Sequence, residues 1–541
     1  MTLTEAPPQP APSAEPGSEP AAAGNLLTTA DHKRIGRLYI GFALLFLVVG
    51  GVVGAILQAE LTASGIQLVG DQYARLFSLH ATVMPLLFLA PLWVGLATYV
   101  VPLQIGATGL AFPRLQALAL WTYVVGGGVV IAAYLVGTPR GAGLSLSTPI
   151  RLAQASQPAT DLWIVGLGLV AIAALLAALN LLATVVTLRT DGMSFDRLPF
   201  FTWASFASSA VVLVATPTFL AGLLLLYLDQ HFGGSFFSVR NTAAQDIWQH
   251  LLWLFGRPEI YLLALPGLGV ACEVVAVHAR RPLLSRPAAL IGLSAVAVLS
   301  LGAWAAGASA TSAVVLPTYS VLTALIAAPV GLLALVWLGT LRTGRPRANV
   351  TLAYVAAYLL LLVFGAANAI AAAAAKVGGG TAWSTGHLHV VVLGAPVLLG
   401  FAAVHHWAPK IWGRRLSAVA GGLEVLLLLG GFLVMGLADY LLGYDGAPWH
   451  VADVTGHGKW LALERLGGAG AALVLLGVVV FILNLVGSVA GGRGEPAPDD
   501  PWEGFTLEWA TSSPPPPHNF DAVPEVRSAE PMVDLRGEAA G

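Results

Sequence analysis

Charge is what this chain has least of. Lys, Arg, Asp and Glu make up 10% of its 541 residues, against 57% hydrophobic residues. Soluble domains carry about 25% charged residues, so a water-soluble globular fold is excluded and the apolar surface must be buried in lipid. There is one cysteine, Cys272, inside an apolar run. That excludes a disulfide framework and a cysteine metal centre within the chain. The net charge of −2 leaves no electrostatic footprint for nucleic acid. Segments of about ten alternating residues, the mark of a membrane barrel, are missing, and so is any internal repeat. Histidine is missing too from one long stretch, since none stands between His278 and His387.

What is present is a series of twelve apolar segments, from 37–59 to 466–490, each of roughly 20–28 residues and long enough to cross a bilayer. The expected fold is all-α, an integral membrane bundle of twelve helices over residues 31–492. Residues 1–30 are rich in Pro, Ala, Ser and Glu and are read as a disordered tail; they lack the basic start and apolar stretch of a signal peptide. Residues 493–541 form a second, proline-rich extramembrane tail. Basic residues cluster at Lys33, Arg34 and Arg37, at Arg280, Arg281 and Arg286, at Arg342, Arg345 and Arg347, and at Lys410, Arg414 and Arg415. The intervening loops carry Asp71, Asp161, Asp246, Asp445 and Asp453. By the positive-inside rule the basic side faces the cytoplasm, and both termini lie there with it.

Histidine inside a bilayer is costly and marks function or an obligatory partner. Of twelve histidines, His80, His387 and His389 enter their segments from the outer side and reach similar depths. His387 and His389 are two apart on a helix, so they point about 200° away from each other. They cannot clamp one ion together, but each can reach a different metal. Imidazole is a common axial ligand of heme iron; the alternative is polar hydrogen bonding between helices. His405 and His406 lie about 17 residues further along, toward the basic side, and are read as interfacial.

The stretches DHKRIGRLYIGFALLF, HATVMPLLFLAPLWVGLATYVVPLQIGATGLAFPR, PTFLAGLLLLYLDQHFGGSFF, QHLLWLFGRPEIY, HLHVVVLGAPVLLGFAAVHHWAPKIWGR and PWEGFTLEWATSSPPPPHNF occur in that order over essentially the whole chain. In them the chain resembles subunit I of the heme–copper oxidases, in the A-type branch that contains the cytochrome c oxidases. The resemblance implies two hemes: a low-spin heme between His80 and His389, and a high-spin heme on His387. It implies other oxidase subunits of the subunit II and III types as partners, a cytochrome c-like electron donor, and a multi-pass location in the plasma membrane. With no cysteine pair in the chain, any further copper centre belongs to another subunit.

Copper is not carried over. The family binds it with three histidines, one opening the motif H-P-E-V-Y; here that motif is R-P-E-I-Y, with Arg257 in the ligand position and Glu259 and Tyr261 retained as catalytic candidates. The other two ligands would lie in the stretch without histidine, where LGAWAAGASATSAVV offers only small and apolar residues; copper takes imidazole or sulfur. The aspartate expected before A-F-P-R is Gly109, and the lysine expected after the P-T-G-like turn is Leu333. The His-Asp pair ahead of H-x-H is Gly379 and Gly380, and the arginine pair late in the eleventh segment is absent, with Asp439 and Tyr440 nearby. A buried guanidinium stays charged and needs an acceptor. Heme propionate, Glu259 or a bound anion would serve Arg257; a purely structural Arg257–Glu259 pair is the alternative. Three functions are compatible: a terminal oxidase subunit I, a copper-free diheme electron-transfer or gas-binding protein, or a noncatalytic structural paralogue within a respiratory complex.

Overall fold

The structure is a computed structural model that describes residues 26–62, 68–137, 157–237, 244–308, 325–377, 380–448 and 458–540. The side chains of 244–250, 252–262 and 302–308 are not among those described. Most of the first tail therefore lies outside the described residues, as do the side chains of Arg257, Glu259 and Tyr261, the region of the missing copper ligands, and Gly379.

Among the described residues the chain is helical, and its only extended pairings are two isolated bridges, Thr381 with Pro448 and Arg414 with Pro496. The helices are α1 (His32–Thr62), α2 (Tyr73–Gln104), α3 (Pro113–Val136), α4 (Gln157–Thr187), α5 (Phe200–His231), α6 (Ala244–Ala279), α7 (Arg286–Ala308), α8 (Ala327–Thr343), α9 (Val350–Ala375), α10 (Ala382–Trp412), α11 (Ala418–Tyr444), α12 (Gly458–Val489) and a short terminal α13 (Pro531–Ala540). Nine of them are long and apolar enough to cross a membrane among the described residues; the described apolar parts of α6, α7 and α8 are shorter. The expected all-α membrane bundle is what the chain forms.

Close packing comes from glycine. A methyl added at Gly431 of α11 would lie 2.8 Å from the carbonyl oxygen of Gly470 on α12, and the reverse distance is also 2.8 Å. Gly36 with Gly95 joins α1 to α2 in the same way, and Gly126 with Gly166 joins α3 to α4. Lipid gives helices no hydrophobic drive to associate, so bare backbones in contact supply dispersion energy that larger side chains would prevent. α2 and α10 are the most enclosed, with 89% and 72% of their most apolar stretches buried. These are the helices that carry the three intramembrane histidines.

Both helices widen into a π turn, over Val83–Leu89 just past His80 and over Leu388–Gly394, which contains His389 and begins just past His387. The bonds that close them run from Ala90 N–H to Pro85 O and from Ala395 N–H to Val390 O. Proline follows each, at Pro91 and Pro396, and its missing N–H frees a carbonyl one turn back. At Leu87 the freed carbonyl accepts from the Tyr123 hydroxyl at 2.6 Å. Single π turns concentrate at functional sites.

The segment after α12 is a folded strap, with Leu507, Trp509, Phe520 and Val526 buried. Asn519 Nδ2 donates to Ala107 O at 2.8 Å, and its Oδ1 accepts from Lys33 Nζ at 2.7 Å. Lys410 Nζ donates to Thr511 O at 2.7 Å. The reading of His405 and His406 as interfacial is overturned: they are only 6% and 1% exposed, His406 beneath the strap and His405 among the helices. Trp502 stacks on His406 and donates to its carbonyl at 2.8 Å. His405 lies inside a polar cluster with Glu424, which it meets at 2.8 Å.

Candidate functional site

His80 sits on the α-helical part of α2 against α1. Its Nδ1 is 2.8 Å from Gly50 O. A carbonyl can only accept, so Nδ1 carries the proton and Nε2 keeps its lone pair. The ring fits there because position 54 is glycine: a methyl at Gly54 would be 2.7 Å from His80 Cε1. His389 lies in the π turn of α10, with Nδ1 3.2 Å from Asp439 Oδ2 on α11. The carboxylate fixes the same tautomer, again leaving Nε2 free to bind. His80 and His389 stand close enough for their charges to interact, and both rings are only half-buried although their helices are the most enclosed. Tying Nδ1 to a carbonyl or carboxylate is how metal-binding imidazoles are oriented and made more basic. The donor set therefore fits an iron held from two sides.

His387 points elsewhere. Its ring stacks on Trp383 at 5.1 Å with planes 12° apart, and Trp383 in turn lies 5.7 Å from Tyr440. The structure thus brings His80 and His389 together, while His387 rests on Trp383. Asp439 was visible in sequence only as a residue near an absent arginine pair; its bond to His389 depends on α11 packing against the π turn. Glu464 lies near enough to Asp439 to interact with it, so the rim beside His389 is acidic.

Two other expectations concern proton intake. Gly109 lies in the α2–α3 turn with open space around its Cα. Leu333 is fully buried, packed on Gly292 of α7. Neither offers an exchangeable side-chain proton. Beyond Gly109 a cavity of about 150 Å³ runs between α1 and α6, lined by residues that include Gln116, Ser205, Ser208 and Leu263. The hydroxyls of Ser205 and Ser208 find no partner among the described residues.

Residues 34–473 match the family described as Cytochrome C and Quinol oxidase polypeptide I. The chain belongs to that family. It is 37% identical to a Streptomyces coelicolor protein named as a cytochrome c oxidase subunit 1-beta, over 94% of this chain and 90% of the relative. It is 35% identical to cytochrome c oxidase subunit 1 of Corynebacterium glutamicum and 34% identical to that of Corynebacterium efficiens, each over 98% of this chain and 91% of the relative. The chain is thus a terminal-oxidase subunit I, a multi-pass membrane protein of an assembly that has other subunits.

A second polar cluster, away from His80 and His389, braces the helices. Glu424 is fully buried and accepts from Tyr354 Oη at 2.8 Å and Asn484 Nδ2 at 2.7 Å as well as meeting His405. Every oxygen lone pair it needs for stability is engaged, which marks a brace between α9, α10, α11 and α12 rather than a reactive group.

Proposed function

We propose that this subunit binds a low-spin heme between His80 and His389 and a high-spin heme on His387, and passes electrons from a cytochrome c-like donor through them toward oxygen. The observation that carries the reading is the pair of neighbouring imidazoles on α2 and α10, each with Nδ1 tied off by Gly50 or Asp439. Bound heme iron would supply one-electron exchange, and at the His387 site a position for oxygen. The chain's own residues hold the two imidazoles in the binding tautomer, enclose them in the most buried helices and exclude lipid from them. His80→Ala should abolish the low-spin heme spectrum of the purified complex while the chain still inserts. An unchanged low-spin spectrum refutes the assignment.

A copper-free variant of this function is favoured by a specific absence: no histidine stands between His278 and His387, and position 257 is arginine. In this reading Arg257 occupies the place of a copper ligand and stabilises an anionic ligand on the high-spin heme. A fixed charge supplies electrostatic stabilisation but no electron, so rapid four-electron reduction of oxygen is not expected. With Gly109 and Leu333 at the two usual intake positions, proton pumping by those routes is not expected either. Proton release per electron in vesicles tests this, and robust pumping would require a third route. In this reading both termini and the strap lie on the cytoplasmic side of the plasma membrane, which the distribution of basic loops supports.

A further inference from the structure

Beneath the strap lie two carboxyl groups that the heme chemistry does not use. Glu273, near the end of α6, is 5% exposed, and Glu508, in the strap, is fully buried. One side chain joins them. Gln104 Nε2, at the end of α2, is 2.9 Å from Glu273 Oε2 and 3.0 Å from Glu508 Oε1. On its other side Gln104 Oε1 accepts from the Thr202 hydroxyl at 2.6 Å. Two acceptors on one nitrogen at these distances are at most about 6 Å apart.

The remaining donors are neutral as well. Phe201 N–H reaches Glu273 Oε1 at 2.8 Å, and the Trp407 indole reaches Glu508 Oε1 at 3.2 Å. Among the described residues no cation donates to either carboxylate. Arg286 on α7 is near Glu273, but its guanidinium donates to the carbonyls of Asp196 and Leu198. Lys410 on α10 is near Glu508, but its ammonium donates to Asp499 O, Thr511 O and Ser512 O. Cys272 and His278 on α6 and His406 on α10 are the other titratable groups nearby, with His278 6.4 Å from His406. Burial holds the Glu508 carboxyl above the usual carboxylate range.

Two independent observations point to an occupant. His406 Nδ1 is buried and has no partner among the described residues. A cavity of about 30 Å³ touches Glu273, His406, Arg286 and Glu530, which is room for one or two waters. Glu530, half-buried in the strap, is its outer acid.

We propose that Glu273 and Glu508 share a single proton, and that this pair exchanges it with the surface through the small cavity between Glu273 and Glu530. Two like charges so close, with the nearby cations donating to carbonyls and to neither carboxylate, do not both ionise. One proton and one negative charge therefore reside on the pair, with Gln104 donating to both members and favouring neither. On release the proton leaves a carboxyl oxygen for cavity water and then the Glu530 carboxylate; uptake reverses the path. The pair is a proton-holding site on the basic face, separate from the two usual intake positions and independent of the heme assignment.

The test is infrared spectroscopy of the intact complex in membranes, following the carbonyl stretch of a protonated carboxyl in light and heavy water across a pH titration. The wild type should show a deuterium-sensitive band at neutral pH that both Glu273→Gln and Glu508→Gln alter. In each variant the remaining carboxyl loses its like-charged neighbour, so its midpoint should fall by at least one pH unit, a tenfold loss of proton affinity. Glu530→Gln should leave the midpoint in place and slow hydrogen–deuterium exchange of the band severalfold. A band that neither glutamine variant changes, or unchanged midpoints, overturns the shared proton. Unslowed exchange in Glu530→Gln overturns the route. The wild-type measurement decides without any variant, because no protonated carboxyl at neutral pH means both groups are ionised and the proposal is wrong.

Discussion

Gly54→Ala tests the placement of His80 without touching a candidate ligand. The added methyl would lie 2.7 Å from His80 Cε1 and 3.0 Å from Nδ1. Carbon–carbon contacts sit at about 3.5–4 Å, so the ring must retreat from α1 by roughly 0.8 Å. Gly50 is on α1 one turn earlier, so the same retreat stretches the 2.8 Å bond from Nδ1 to its carbonyl toward about 3.6 Å, where it is no longer a hydrogen bond. Overpacking costs about 1–3 kcal/mol and the lost bond about 1 kcal/mol, while alanine returns up to ~1 kcal/mol of helix propensity. The scaffold should therefore survive, and the loss should fall on the metal: losing such an orienting bond typically weakens binding about 10–100-fold. The assay is low-spin heme content and the reduced-minus-oxidised spectrum of the purified complex. Gly41→Ala is the control, on the same helix with nothing within 4 Å of the added methyl. Wild-type heme content and spectrum in Gly54→Ala would show that His80 is not held as an axial ligand here.

Asp439→Asn keeps the shape beside His389 but removes a negative charge, so the low-spin heme potential should rise by on the order of tens of mV; an unmoved potential in a redox titration would mean that Asp439 does not act through His389. Glu424→Ala strips a fully buried acceptor from His405, Tyr354 and Asn484 and should destabilise the chain by about 3–5 kcal/mol. Thermal unfolding in detergent measures it, and a loss under about 1 kcal/mol would demote the cluster to incidental contact. Arg257→His should not recruit copper, because one imidazole does not make the N-donor set that copper needs. Stoichiometric copper in the isolated variant subunit would reveal ligands other than those recognised.

Much of the bundle was legible because its signals are local. Apolar run length and low charge follow directly from the requirement that a chain in lipid satisfy its own backbone, and the expected segments 37–59 and 200–228 fall within α1 and α5. The spacing of His387 and His389 fixed their divergence, since helix geometry alone turns two-apart residues to opposite sides. His405 and His406 went the other way. Counting along α10 placed them near the membrane edge, but exposure there depends on whether something covers the helix end. The cover is the strap, whose Trp502, Leu507, Trp509 and Phe520 are scattered among prolines and polar residues with no periodicity to announce a docked segment.

The π turns were equally hidden, and they bear on the site most directly. Proline in α2 and α10 signals a freed carbonyl, but not whether the helix kinks, stops or takes in an extra residue. Position 394 shows what decides it. A methyl at Gly394 would collide with His389 O, because the π turn swings that carbonyl across the next turn. Only glycine leaves room for it. The same turn carries His389, whose Nδ1 meets Asp439 on α11. The intramembrane histidines were thus readable one by one from their cost in lipid, whereas their placement beside one another rests on a backbone detour that a bare hydrogen atom at position 394 permits.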